Sequence, residues 1–131
     1  MTARGAFTPA TRQQILERDE GTCVVDGVQV YDVDSGYALR DWSIQHRRAR
    51  GMGGSRLPDT SQPQNGIVVC GSATTGCHFR IESQPDWALA NGYRVPQCAD
   101  PLTIPITHHA WGQAWLLPDG TYTLDPMDVT A

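Results

Sequence analysis

The chain has 131 residues with a net charge of −4, and its composition is 40% hydrophobic with 13 Gly and 9 Pro. That length supports one modest hydrophobic core, and the Gly and Pro content favours short elements joined by loops. The longest apolar stretches, such as Gly66-Ile67-Val68-Val69-Cys70, fall far short of the ~20 residues of a bilayer-spanning helix, which excludes one.

The first seven residues lack the apolar run of a signal peptide, so the expectation is an intracellular, cytoplasmic chain. Thr8-Pro9 reads as a helix start, with Thr8 as N-cap and Pro9 at the first helical position. The helix is expected to run to about Asp19, with Ile15 and Leu16 facing inward and Gly21 ending it. Cys23-Val24-Val25-Asp26-Gly27 reads as a tight turn, and residues 28–37 as a short hairpin or irregular loop.

Residues 42–46 alternate apolar and polar, as a half-buried strand does. Residues 47–64 carry Arg, Gly, Ser, Pro and Gln without a core pattern, and a loop of that length inside a small domain is usually functional or disordered. Four of the ten basic residues, all of them Arg, fall in it: Arg47, Arg48, Arg50 and Arg56, with no acid before Asp59. Ile67-Val68-Val69 is a second short strand. A Gly/Ser/Thr turn follows, then a predicted helix from Cys77 to about Asn91, closed by Gly92. Further on, Pro118-Asp119-Gly120 between two short β-type pieces signals a hairpin. His108-His109 reads as surface or loop, and the four Trp residues as packing. The expected fold is α+β, one domain over 1–131 with a core at about 42–90 and a β-rich extension at about 93–125.

The chemistry-bearing order is a strand ending in His46, a basic loop, Asn65, a strand, a turn, and a helix beginning near His78. On Ile44-Gln45-His46-Arg47-Arg48-Ala49-Arg50-Gly51-Met52-Gly53-Gly54, Asn65-Gly66-Ile67-Val68-Val69-Cys70 and Gly76-Cys77-His78, the sequence resembles the HNH endonuclease family. It is most similar to the small phage and actinobacterial members, and weaker likeness extends over most of the chain. The resemblance implies a ββα-metal core and metal-dependent hydrolysis of DNA phosphodiesters with limited sequence preference. It implies His46 as general base, Asn65 as the residue that fixes the loop, and His78 as a metal ligand. The metal would be Mg²⁺ or Mn²⁺, with Zn²⁺ or Ni²⁺ as crystallographic substitutes.

Imidazole is the side chain best placed to deprotonate water near neutral pH, and a divalent cation stabilises charge on phosphate and leaving oxygens. Glu82, four residues after His78, shares its helical face and is a second ligand or a solvated acid. Gln45 stands where many members carry Asp or His. Either Gln45 is a weak neutral ligand, or Asp41 or water fills that position. The Arg loop is a phosphate-contacting surface or a solvated one. Related proteins hold a structural zinc with two Cys-x-x-Cys pairs. Here Cys23, Asp26, Cys70 and Cys77 make the corresponding set, with Cys98 as an alternative to Asp26 and buried thiols without zinc as the plain alternative. Implied partners are DNA and, for a phage protein, packaging or other nuclease-associated proteins. The rival functions are a DNA-binding protein without catalysis and a zinc-stabilised protein-interaction module.

Overall fold

A computed structural model of the protein describes residues 5–51 and 57–129. Helix α1, Pro9–Arg18, starts as its sequence dictates: the Thr11 amide donates to Thr8 Oγ1 at 3.2 Å, and Pro9 occupies the first turn. Ile15 and Leu16 are its buried residues. Its end is closed by the Gly21 N–H reaching back to the Leu16 carbonyl. Gly21 has φ +64, and a Cβ there would stand 2.0 Å from the Tyr31 carbonyl oxygen, so only glycine fits. Strands β1, Tyr31–Asp32, and β2, Tyr37–Ala38, pair as the short hairpin.

Strands β3, Trp42–His46, and β4, Gly66–Cys70, pair antiparallel with Trp42 opposite Cys70 and His46 opposite Gly66. Alternation along β3 divides its side chains. His46 stacks on Phe7, and Arg12 of α1 lies over the Trp42 ring. Ser43 and Gln45 instead meet His78 and Glu82 of helix α2, Gly76–Ser83. The hairpin is thus held between α1 on one face and α2 on the other, and every residue of β4 is buried.

The single helix expected over 77–91 is two. Helix α3, Pro85–Ala90, begins after Gln84, whose φ −125 and ψ 70 are not helical. Pro85 has no amide hydrogen to continue the ladder and pushes the residue before it out of the α region. Beyond it, β5 (Ile106–His108), β6 (Gly112–Leu116) and β7 (Tyr122–Thr123) form a three-stranded antiparallel sheet. The β6–β7 hairpin is the one that Pro118-Asp119-Gly120 signals. The fold is α+β, and no described helix is long and apolar enough to cross a membrane. One cluster of buried side chains joins the parts, including Ile15 from α1, Val68 from β4, Ile81 from α2 and Leu116 from β6.

Arg47 is the largest fully buried side chain in this core, at 1% exposure. Its guanidinium donates to the carbonyls of Gly92 (2.8 Å), Gln64 (2.9 Å), Pro101 (3.0 Å) and Ile104 (2.6 Å). Those carbonyls come from three loops that have no β-ladder to hold them together. Burial, and then the nearby Arg18, push its pKa down to about 9 against Tyr122, and the four carbonyl dipoles solvate the charge that remains. Arg47 therefore leaves the set expected to contact phosphate, because its donors are spent inside the protein.

Removing it strands four acceptors, each at a desolvation cost of ~1–3 kcal/mol, partly relieved by water. Arg47→Ala should lower unfolding free energy by at least about 3 kcal/mol in urea titration. The exposed Arg40→Ala should stay within about 0.5 kcal/mol of the parent.

Candidate functional site

A cleft of about 250 Å³ opens where the end of β3 meets α2 and the segment after α3. Gln45, His46, Glu82, Arg94 and Gln97 line it, with Pro85, Leu89 and Pro96 among its apolar residues. Across its floor the Gln45 side-chain amide donates to Glu82 Oε1 at 2.8 Å. Turning that amide over would present its oxygen beside the same carboxylate.

His46 is half-buried and fixed from the N-terminal side. Phe7 stacks on its ring with centroids 4.1 Å apart and 16° between planes, and the Gly5 carbonyl lies 2.7 Å from Nε2. A carbonyl only accepts, so Nε2 carries the hydrogen and Nδ1 keeps a lone pair. Burial lowers the His46 pKa, the Gly5 carbonyl opposes that, and Arg50 and Arg12 lower it further.

His78 is on the far side of β3, its Nδ1 3.4 Å from Ser43 Oγ, and is not among the residues lining the cleft. Sequence order alone predicts two imidazoles at one point. The structure brings His46, Gln45 and Glu82 to one cleft, with His78 one helical turn before Glu82 and turned to Ser43.

Asn65 is fully buried and braces the loop that follows His46. It accepts from the Arg48 amide at 2.7 Å and donates to the carbonyls of Arg48 (3.0 Å) and Thr60 (2.9 Å). Arg48 does not face solvent either. Its guanidinium pairs with Asp59 and donates to the Ala99 carbonyl at 3.0 Å, leaving 4% of the residue exposed. The expectation that Arg48 contacts phosphate is corrected on the same ground as Arg47. Arg50 is half-buried with no partner for its guanidinium among the described residues, and Arg56 lies outside them.

Away from the cleft, Cys23, Asp26, Cys70 and Cys77 bring their ligand atoms within 4.8 Å of one another, a group that can hold a metal ion. Six residues separate Cys70 from Cys77, where a Cys-x-x-Cys pair has two. Gly71 at φ +93 and Gly76 at φ +64 fold that loop back on itself, and the Cys77 amide lies 3.5 Å from Cys70 Sγ. Asp26 Oδ2 stands 3.3 Å from Cys70 Sγ and 3.4 Å from Cys77 Sγ. A hydrogen bond with Cys77 lowers the Cys23 thiol to about 7 against the pull of burial, while Cys77 itself is pushed up by the same bond. Cys98 is exposed and outside the group.

His108 is a correction: it is buried on β5, stacked at 4.1 Å on Trp111, rather than a surface residue. Sequence reading missed Gly5 and Phe7 as partners of His46. An apolar residue just before an N-cap Thr marks a chain turning into the core, and that was the available signal. Arg94 and Gln97 carried no signal. No family model, curated protein or solved structure matches this chain.

Unfolded His46 takes up a proton at pH values where the folded residue stays neutral. Stability should therefore rise with pH from the depressed folded value to the ordinary 6.5, and this contribution should be flat above it. NMR titration of the ring should give a midpoint below 6.5, and Phe7→Ala, by admitting water, should move it back towards that value.

Proposed function

We propose that the protein is a metal-dependent DNA endonuclease of the HNH kind, whose β3–β4 hairpin and α2 make up a ββα-metal core. The observation that carries this reading is a single cleft lined by an imidazole whose Nδ1 has no hydrogen-bond partner among the described residues and by a paired amide and carboxylate, Gln45 and Glu82. In this reading His46 Nδ1 takes the proton of the attacking water. The Gly5 carbonyl fixes the tautomer, and Phe7 fixes the ring plane. Asn65 holds the loop after His46 rigid, so the base keeps its position when a strand enters.

The candidate metal donors are Glu82 and Gln45 through its oxygen, which His78, one helical turn before Glu82, would join by turning its ring from Ser43. They hold one formal negative charge, a set that suits a hard cation such as Mg²⁺ or Mn²⁺ at modest affinity. Such an ion would supply stabilisation of charge on the phosphate and leaving oxygens. Supercoiled plasmid incubated with Mn²⁺ or Mg²⁺ should be nicked, and His46→Ala should reduce the rate by about 10²–10⁴-fold. Equal nicking by both proteins would remove His46 as the base. The second reading is a zinc-stabilised interaction module without catalysis, and what favours it is that His78 faces Ser43 rather than the cleft. Absence of nicking with any divalent ion would support it.

The Cys23, Asp26, Cys70 and Cys77 group is proposed as a structural zinc site. Zn–S bonds near 2.3 Å and Zn–O bonds near 2.1 Å place tetrahedral ligand atoms ~3.6–3.8 Å apart, compatible with the spread found here. Bound zinc would tie the 23–28 turn to the end of β4 and the start of α2. Elemental analysis should give about one zinc per chain, Cys70→Ser or Asp26→Ala should lower occupancy, and chelation should lower the melting temperature. An unchanged melting curve after demonstrated zinc loss would reject the structural role.

A further inference from the structure

Arg47 and Arg48 are consumed by the fold, yet His46 is not left in an uncharged setting. Besides the buried Arg47, whose donors are spent, Arg94 lines the His46 cleft, a residue distant in sequence from the basic loop. Two backbone-anchored contacts hold its segment beside the base: the Val95 amide donates to the Arg47 carbonyl at 2.8 Å, and Gln97 Nε2 donates to the Ala49 carbonyl at 2.9 Å. The Arg94 guanidinium has no hydrogen bond or ion pair among the described residues, and the residue is only half-buried. Arg50 stands on the Gly5 side of His46: a Cβ on Gly5 would meet Arg50 Cδ at 3.1 Å. Arg50 thus acts on the imidazole from the Gly5 side and Arg94 lines its cleft, both guanidinium groups without a side-chain partner among the described residues.

We propose that Arg94 is a phosphate-binding residue of the cleft, engaging one phosphodiester of a DNA strand that continues past His46 towards Arg50. The inference rests on the nuclease reading and deepens it by giving the strand a path. At about 250 Å³ the cleft has room for one linkage with its sugar. Pro85, Leu89 and Pro96 supply an apolar wall for the sugar, and the planar guanidinium a bidentate match to the phosphate. Glu82 faces the same cleft, so an unneutralised phosphate would be repelled there without Arg94 opposite.

The test is anisotropy of a labelled short DNA duplex over a series of salt concentrations in EDTA, comparing the parent, Arg94→Gln and Arg40→Gln. Arg40 is exposed and outside this cleft. Arg94→Gln should weaken binding about tenfold and reduce the slope of log K against log salt by about one, with Arg40→Gln close to the parent. Circular dichroism of each variant checks the fold. A parental slope in a folded Arg94→Gln protein overturns the assignment and leaves the nuclease reading standing. A parent that does not bind duplex at low salt overturns both. Inorganic phosphate is the second probe: saturable calorimetric binding that needs Arg94, together with parental duplex binding by the variant, would make this a free-phosphate site and overturn the strand path.

Discussion

The buried guanidinium of Arg47 carries a full charge in the core, and no carboxylate among the described residues pairs with it. Taking such an ion out of water costs several kcal/mol, so the surroundings must solvate it with fixed dipoles. Four carbonyls do this, from Gln64, Gly92, Pro101 and Ile104. The requirement runs both ways. The loops that own those carbonyls are pinned in part by buried Pro63, Tyr93, Val95 and Pro101, and each must also close on Arg47 for the charge to be tolerated. The end of β3, the turn before β4 and the chain leaving α3 are thereby fixed about one point next to His46.

Neighbouring polar groups extend that constraint rather than duplicate it. Asn65 binds both backbone groups of Arg48, and the Arg48 side chain then reaches Asp59 and the Ala99 carbonyl. On the opposite face, Asp19 accepts from Arg18 at 2.8 Å and from the Val68 amide at 3.0 Å, which ties α1 to β4. A hairpin whose every β4 residue is buried needs such ties, because it has no solvent-facing side on which a register error would be tolerated. Rigidity around the cleft is therefore built from buried polar contacts more than from its small apolar core.

Much of this was legible in the sequence where a single local rule decides the outcome. The N-cap Thr8 with Pro9, the alternation over 42–46, and Pro118-Asp119-Gly120 each produced the element expected of them. Pro85 is an equally local break, and the helix expected from Cys77 to about Asn91 ran across it. The arginines failed for a different reason. A run of Arg residues has the same local pattern whether it faces phosphate or carbonyls, and the carbonyls that decide it lie 17 to 57 residues away. The ligand group Cys23, Asp26, Cys70 and Cys77 was legible as a set, and what the six-residue spacing did not show is how left-handed Gly71 and Gly76 close that loop.

That difference bears on how the net charge of −4 should be weighed. Counting charges treats all ten arginines as surface, yet Arg47 and Arg48 are buried and Arg18 is paired with a buried Asp19. Screening confines surface fields to about 8–10 Å, so the sum over the whole chain says little about one cleft. At the end of β3 the charges of Arg50 and Arg12 act on the His46 imidazole, while Arg94 and Glu82 line the cleft beside it.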